Sequence, residues 1–263
     1  MQLALRQKFT LNVSRYWELD AVRGMAIILM VFYHLTWDLD FFGVVQLNMI
    51  SGPWNWFAHG IATMFISVMG ASLVVSYHRL NQRQVVGQTI FFKYLRRGGK
   101  IFGWGLLITV ATYLFLDFRG GRGFVIFGIL HVIGFSIMAA YPFLPYRRRW
   151  LSLIIGLMLI GMGVYFEQLI SSAPWLIPLG IKQTNRLMVD YYPILPWYGV
   201  ALLGIYLGSW LYPNGEARFN LAGGFNVPPL RVLTFLGQHS LLIYLIHQPI
   251  LLGLLIILGI GAI

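Results

Sequence analysis

Two ionisable residues in the first apolar segment have a spacing that could support chemistry inside a membrane. Arg23 and His34 are eleven residues apart, which is close to three full turns of an α-helix. Their side chains are therefore predicted to share one helix face, separated by about 16 Å along the axis. Asp20 and Asp38 fall close to the same stripe. Because ionisable groups at membrane depth are costly, the stripe indicates a functional site.

The stripe suits a reaction that joins the two sides of a membrane. Arg23 would hold an anionic donor near one surface. His34 would act deeper in as a base or an acyl carrier, because imidazole titrates near neutral pH. Asp38, one turn further on, would orient the imidazole as the acid of a catalytic triad does. The alternative is that Arg23 is an interfacial anchor and that His34 only hydrogen-bonds a neighbouring helix.

Other polar residues are expected at similar depth. His131, in FGILHVIGFS, is a third catalytic candidate, and His247 is expected to be functional or to join a polar network. Asp190 opens the sixth span on the outer side. His59 lies near the start of the second apolar segment. The sequence contains no phosphate-binding loop, no HExxH and no GxSxG motif. No histidine or acid pair has the tight spacing of zinc ligands, so no metal site is predicted.

The elements that must position these residues are apolar helices. The chain has 58% hydrophobic and 10% charged residues, whereas a soluble domain has about 25% charged residues. The composition predicts an all-α polytopic membrane protein, a bundle of about seven transmembrane helices. About 20 apolar residues are needed for each crossing. The predicted spans are 21–37, 56–77, 101–116, 123–143, 150–166, 192–212 and 232–260.

Two segments do not fit a plain crossing. The last span is long for one helix, so we expect either a kink at Pro249 or a re-entrant pair. The segment 79–97 is basic and mixed, and it is predicted to lie along the membrane surface as an amphipathic helix.

The distribution of basic residues predicts the orientation. Fifteen of the 19 Lys and Arg residues lie in the amino-terminal stretch and the even-numbered loops, and four lie in the odd-numbered loops. By the positive-inside rule the amino terminus is cytoplasmic. Residues 1–18 would form a cytoplasmic segment and residues 19–263 the transmembrane domain. The net charge of +11 is therefore assigned to topology, and no nucleic-acid partner is expected.

The segment SRYWELDAVRGMAIILMVFYHLTWDLDFFG carries a family resemblance. It resembles the opening of the catalytic domain of bacterial heparan-alpha-glucosaminide N-acetyltransferases, which have a similar R-G-small-A-apolar run. The resemblance continues through FISVMGASLVVS, FGILHVIGFS, DYYPILPWYGVALLGIYLG and FLGQHSLLIYLIHQP, covering roughly residues 14–252. The spacing from Arg23 to His34 is also similar to the signature of the acyltransferase-3 families.

The resemblance implies an acyltransferase of the bacterial inner (plasma) membrane. The donor would be cytoplasmic acyl-CoA, with acetyl-CoA the expected form, and the acceptor an extracytoplasmic glycan or glycolipid. Membrane lipid is the other expected partner, and whether the chain forms a homodimer is left open. Guanidinium and ammonium groups bind phosphates well, so the predicted donor-binding residues are Arg23, Arg96, Arg97 and Lys100.

One departure from the family pattern concerns the catalytic histidine. Eukaryotic members have a histidine three residues before a Trp-Asn pair, whereas here Ser51 precedes Trp54-Asn55. Their first helix has no match for His34. The catalytic role is therefore transferred to His34 on the R-x10-H pattern, with His59 as the fallback.

Two other classes of protein compete with the enzyme. Intramembrane His and Asp residues also form proton relays in transporters of small molecules or lipids. Inverted repeats would support a transporter, and the sequence has none that can be detected. A structural subunit of an envelope complex would leave the polar stripe unexplained.

Overall fold

The computed structural model describes residues 15–117, 123–145, 148–183, 188–219, 221 and 227–260. Residues 1–14 of the predicted cytoplasmic segment lie outside this part of the chain. So do six of the basic residues behind the predicted orientation: Arg6, Lys8, Arg119, Arg122, Arg147 and Arg186.

The described residues form eight α-helices and one very short pair of parallel strands. The helices are α1 (Trp17–Phe41), α2 (Gly52–Gln82), α3 (Gly87–Thr112), α4 (Ile129–Ala139), α5 (Arg149–Phe166), α6 (Ile194–Leu211), α7 (Pro228–Gln238) and α8 (Ser240–Ile257). Strands β1 (Ile170–Ser171) and β2 (Lys182–Gln183) lie between α5 and α6.

Six helices within the described residues are long and apolar enough to cross a membrane: α1, α2, α3 with the π-helical turn that follows it, α5, α6 and α8. Their outward faces carry large apolar side chains that water would not solvate well. The prediction of an all-α polytopic membrane protein is confirmed.

The predicted span 123–143 is wrong in length. Only the 11 residues of α4 are helical there, about half of what one crossing needs. Phe124 instead forms a β-bridge with Met188, and Gly128, before α4, has extended backbone. After α4, Pro142 lies in a 3₁₀ turn.

The predicted surface helix 79–97 is also wrong. Helix α2 continues to Gln82 and α3 begins at Gly87, so this segment is two helix ends joined by a short turn. Gln84 in the turn has a positive φ of 54°, which a local reversal requires. The basic residues of the segment are therefore carried on long helices.

Glycines bring the helix backbones into close contact. The opposed pairs are Gly98–Met138 and Gly105–His131 between α3 and α4, Gly156–Gly199 and Gly163–Pro196 between α5 and α6, and Gly204–Ser67 and Gly208–Ala71 between α6 and α2. Small residues allow such approach in membrane bundles. The order of the pairs shows that α4 runs opposite to α3, α5 opposite to α6, and α6 in the direction of α2.

The buried core lies among α2, α3, α4 and α6. Ile66, Leu73, Val132, Ile137 and Leu202 are essentially inaccessible there. Helix α1 packs beside this core through a smaller cluster that includes Ile27, Met30 and Ile61. The polar stripe of α1 is thus placed at a seam between helices.

The predicted span 232–260 is not one helix. The chain breaks at His239, and α7 and α8 lie on either side of the break. Gly24 of α1 lies against the Leu233 carbonyl and Gly237 of α7 against the Asp20 carbonyl, so α7 runs antiparallel to α1. Helix α8 then returns in the direction of α1, and it continues through Pro249 to its end at Ile257.

Candidate functional site

The arginine of the stripe is held by neighbouring side chains. Arg23 donates from Nη1 to Asp20 Oδ1 and from Nη2 to Ser72 Oγ, both at 2.6 Å. Arg15 also pairs with Asp20, at 2.6 Å. Asp20 is buried, and 19% of the Arg23 side chain is exposed. In this structure the Arg23 guanidinium is therefore engaged by protein groups.

The other predicted donor-binding cations lie on α3. Arg97 is close enough to Arg23 for their charges to repel. Arg96, Arg97 and Lys100 are exposed, and within the described ranges no hydrogen bond or ion pair engages them. They remain available to an anion, unlike Arg23.

The histidine of the stripe meets a second histidine from α8. The His34 and His247 rings pack edge to face, with centroids 4.7 Å apart. His34 Nδ1 bonds to the Met30 carbonyl at 2.9 Å, and His247 Nδ1 to the Tyr244 carbonyl at 2.7 Å. Because a carbonyl oxygen can only accept, each Nδ1 carries the proton. In both neutral rings Nε2 is therefore the atom that can take a proton.

Asp38 does not orient His34. Its Oδ1 accepts a hydrogen bond from Gln248 Nε2 at 2.6 Å, and the residue is 2% exposed. Among the described residues no hydrogen bond joins Asp38 to His34, and His34 Nδ1 donates to the Met30 carbonyl instead. The catalytic assignments of His34 and Asp38 themselves stay predictions.

Asp190 ties three elements together. It lies in the loop before α6 with a positive φ of 52°, and its Oδ2 accepts from the Ile129 amide and from the Tyr244 hydroxyl, each at 3.2 Å. Burial raises the pKa of Asp190 to about 6, although both hydrogen bonds act in the opposite direction. Because the Tyr244 carbonyl also holds His247, Asp190 helps to fix the histidine pair.

His131 has a capping geometry. The Gly128 amide donates to His131 Nδ1 at 3.1 Å, so this residue caps the first turn of α4. The ring stacks on Phe127 and meets Phe102 edge-on. The residue is buried among these groups. The geometry favours a structural role over the predicted catalytic one, and within the described residues no ring contact or hydrogen bond joins His131 to His34.

His59, the fallback, packs against residues at the start of α6. Its ring stacks on Trp197 with centroids 5.5 Å apart and meets Tyr192 edge-on at 6.4 Å. The residue is exposed. In the described part of the chain no ring contact or side-chain hydrogen bond joins it to the His34–His247 pair. No group of three or more His, Cys, Asp or Glu residues that could hold a metal ion occurs among the residues described.

Sequence reasoning missed three polar residues of this region. Ser72 binds Arg23, Gln248 binds Asp38, and Tyr244 joins Asp190 to His247. An amide next to a histidine in an apolar helix, as in LIHQPI, was a signal that could have identified Gln248. Ser72 and Tyr244 had no comparable signal, because serine and tyrosine are common in membrane helices.

The comparisons with known proteins give one match. A family model described as "Heparan-alpha-glucosaminide N-acetyltransferase, catalytic" matches residues 15–249. No curated protein and no solved structure matches the chain. The matched range includes both the Arg23 cluster and the His34–His247 pair.

Proposed function

We propose, from the premise that the chain belongs to the heparan-alpha-glucosaminide N-acetyltransferase catalytic family, that it moves an acetyl or other acyl group from acyl-CoA to a glycan or glycolipid. The donor, acetyl-CoA in the simplest case, binds at the amino-terminal end of α1. The acceptor binds at the carboxyl-terminal half of α1. The amino terminus is cytoplasmic, and the membrane is the bacterial inner membrane.

The binding site for the acyl donor, here called the donor end, consists mainly of the unpaired cations of α3. Arg97, Arg96 and Lys100 are exposed and unpaired within the described residues, so they suit the phosphates of coenzyme A. Arg23 supports them as a fixed charge held by Asp20 and Ser72. The thioester end of the donor extends along α1 toward His34, about 16 Å away by helix rise.

The chemical step is a proton transfer coupled to acyl transfer. His34 Nε2 takes the proton from an acceptor hydroxyl or amine. The acceptor oxygen or nitrogen then bonds to the thioester carbonyl carbon, and the C–S bond breaks. The coenzyme A thiolate leaves and receives the proton from the imidazolium, which restores neutral His34. His34 is assigned this role because it is less buried than His247.

One observation carries the proposal: in a member of an acetyltransferase family, helix α1 holds Arg23 beside the cations of α3 at one end and His34 beside His247 of α8 further along. Neither feature alone would distinguish an enzyme from a transporter. Together with the family match they provide a donor end and a base on one scaffold.

The test uses purified protein in lipid nanodiscs with radiolabelled acetyl-CoA and an envelope extract as acceptor. Label should appear in a glycan or glycolipid fraction. His34→Ala should lower turnover by about 100-fold or more, the scale of acid–base catalysis. His239→Ala is the matched control and should retain turnover, because its Nδ1 bonds to a carbonyl in the same way, at 2.9 Å from Phe235 O, but it lies exposed at the α7–α8 break.

Equal turnover of the His34 and His239 variants would refute the assignment of His34. A complete lack of label transfer, combined with movement of an unmodified solute across vesicles, would favour the transporter. Label retained on the protein after removal of acetyl-CoA, and lost in the His34 variant, would make His34 an acyl carrier with ping-pong kinetics.

A further inference from the structure

Three hydrogen-bond acceptors without partners lie at the seam of α1 and α8. They are Asp38 Oδ2, Gln248 Oε1 and His247 Nε2, all buried and all unsatisfied within the described residues. The seam is continuous, because Gln248 donates to Asp38 and His247 packs on His34. Asp38 and His247 are themselves more than nine-tenths buried.

The three atoms cannot satisfy one another. A carboxylate oxygen and an amide oxygen only accept, and His247 Nε2 is an acceptor because Nδ1 donates to the Tyr244 carbonyl. Buried polar groups are normally paired, and the requirement is stronger in a membrane interior. What the seam lacks is therefore a group that donates several hydrogen bonds.

The same chemistry excludes the phosphate groups of the acyl donor from this place. The phosphates of coenzyme A are anionic acceptors, and a carboxylate beside them would repel them. A sugar amine or a pair of sugar hydroxyls has the required donors and can approach a carboxylate favourably. The seam is therefore suited to bind the sugar that receives the acyl group.

We infer that Asp38 and Gln248 form the acceptor subsite, which binds the substrate that receives the acyl group. This subsite binds an amine or a pair of hydroxyls of a sugar, groups that donate hydrogen bonds, beside His34 Nε2. This inference rests on the proposed function for the identity of the second substrate. Asp38 acts as a positioning residue: it holds the acceptor through Oδ2, while Gln248 fixes the carboxylate through Oδ1.

The subsite is tested by equilibrium binding without acyl-CoA, so the result does not depend on turnover. The probes are D-glucosamine, which has an amine, and D-glucose, which has hydroxyls only. Wild-type protein in nanodiscs should bind at least one, and a preference for D-glucosamine would identify the amine as the preferred group. The double variant Asp38→Leu with Gln248→Met replaces the pair with apolar side chains of similar size. It should weaken sugar binding about tenfold or more, the loss of one charge-assisted hydrogen bond.

Two controls separate recognition from folding. Acetyl-CoA binding by the double variant should be unchanged, and its unfolding midpoint should be equal or higher, because unpaired buried polar atoms are removed. Glu167→Gln removes an exposed acid that pairs with Lys182 and should leave sugar binding unchanged.

The inference is overturned if neither sugar binds the wild type, or if the double variant binds as well as the wild type, which would mean that water alone occupies the seam. It is also overturned if the double variant loses both ligands together with its stability. Sugar binding that depends on Asp38 and Gln248 without any acyl transfer would instead refute the proposed function and leave the subsite standing.

Discussion

The hydrogen-bonded acid before α6 makes stability depend on pH in a direction that can be calculated. The Asp190 carboxyl is enclosed by the start of α4 and by α8, and burial raises its pKa from 3.8 to about 6. The ionisable groups that face it are the phenols of Tyr33, Tyr192 and Tyr244. An ordinary phenol titrates near pH 10, so we expect only the carboxyl to titrate between pH 4 and 6.

The sign follows from proton linkage. An acid whose pKa is higher in the folded than in the unfolded protein binds its proton more tightly in the folded state. Its contribution to the free energy of unfolding is therefore fully present below about pH 4, and it is lost as the pH rises to about 6. Two pK units correspond to about 3 kcal/mol. Because Asp190 is only partly shielded from solvent, we expect a loss of about 1–3 kcal/mol.

The assay compares unfolding of the wild type and Asp190→Asn in mild detergent between pH 4 and pH 7. Asparagine keeps an oxygen that can accept from Ile129 and Tyr244 but does not titrate. The wild type should lose stability relative to the variant as the pH rises to about 6, and the difference should then stay constant. A difference between wild type and Asp190→Asn that does not change with pH, or that changes in the opposite direction, would refute the reasoning.

Three further outcomes are expected. Gly237→Ala should lower the unfolding midpoint, because a Cβ there would meet the Asp20 carbonyl, whereas Gly253→Ala, with open space around it, should be neutral; equal midpoints would mean that α7 does not pack closely on α1. Arg97→Glu should raise the KM for acyl-CoA more than it lowers kcat, as loss of binding shared by ground and transition states does; an unchanged KM removes Arg97 from the donor end. A cysteine at Arg148 should escape an impermeant thiol reagent in intact cells while one at Gln183 is labelled, and the reverse pattern would invert the topology.

The sequence predicted the helices whose apolar length is unambiguous. Segments of about 20 apolar residues have one stable solution in a bilayer, so α1, α2, α5 and α6 were found close to their predicted positions. The predictions were wrong where the end of a helix depends on packing against neighbouring helices. The break at His239 follows Gly237, a poor helix former, where α7 packs on α1. The sequence left a re-entrant pair over 232–260 open but did not locate this break.

Of the candidate site, the sequence predicted only the arrangement of side chains along α1. Helical spacing placed Arg23, His34 and Asp38 on one face, because this depends on a single helix. Their partners come from other helices, and hydropathy does not predict which helices become neighbours. Asp38 illustrates the limit: its i+4 neighbour His34 was the expected partner, but Asp38 is hydrogen-bonded to Gln248, which is 210 residues away in the chain.

The seam between α1 and α8 has a consequence for biosynthesis. Helix α1 leaves the ribosome first, and Arg23 can be satisfied by Ser72 as soon as α2 is inserted. His34 and Asp38 contact His247 and Gln248, which are synthesised near the end of translation, so these contacts form late. A protein chain is synthesised from its amino terminus, and its amino-terminal part generally folds first. A nascent chain stalled before α8 would therefore have Arg23 paired with Ser72, while His34 and Asp38 would still lack the neighbours that α8 supplies.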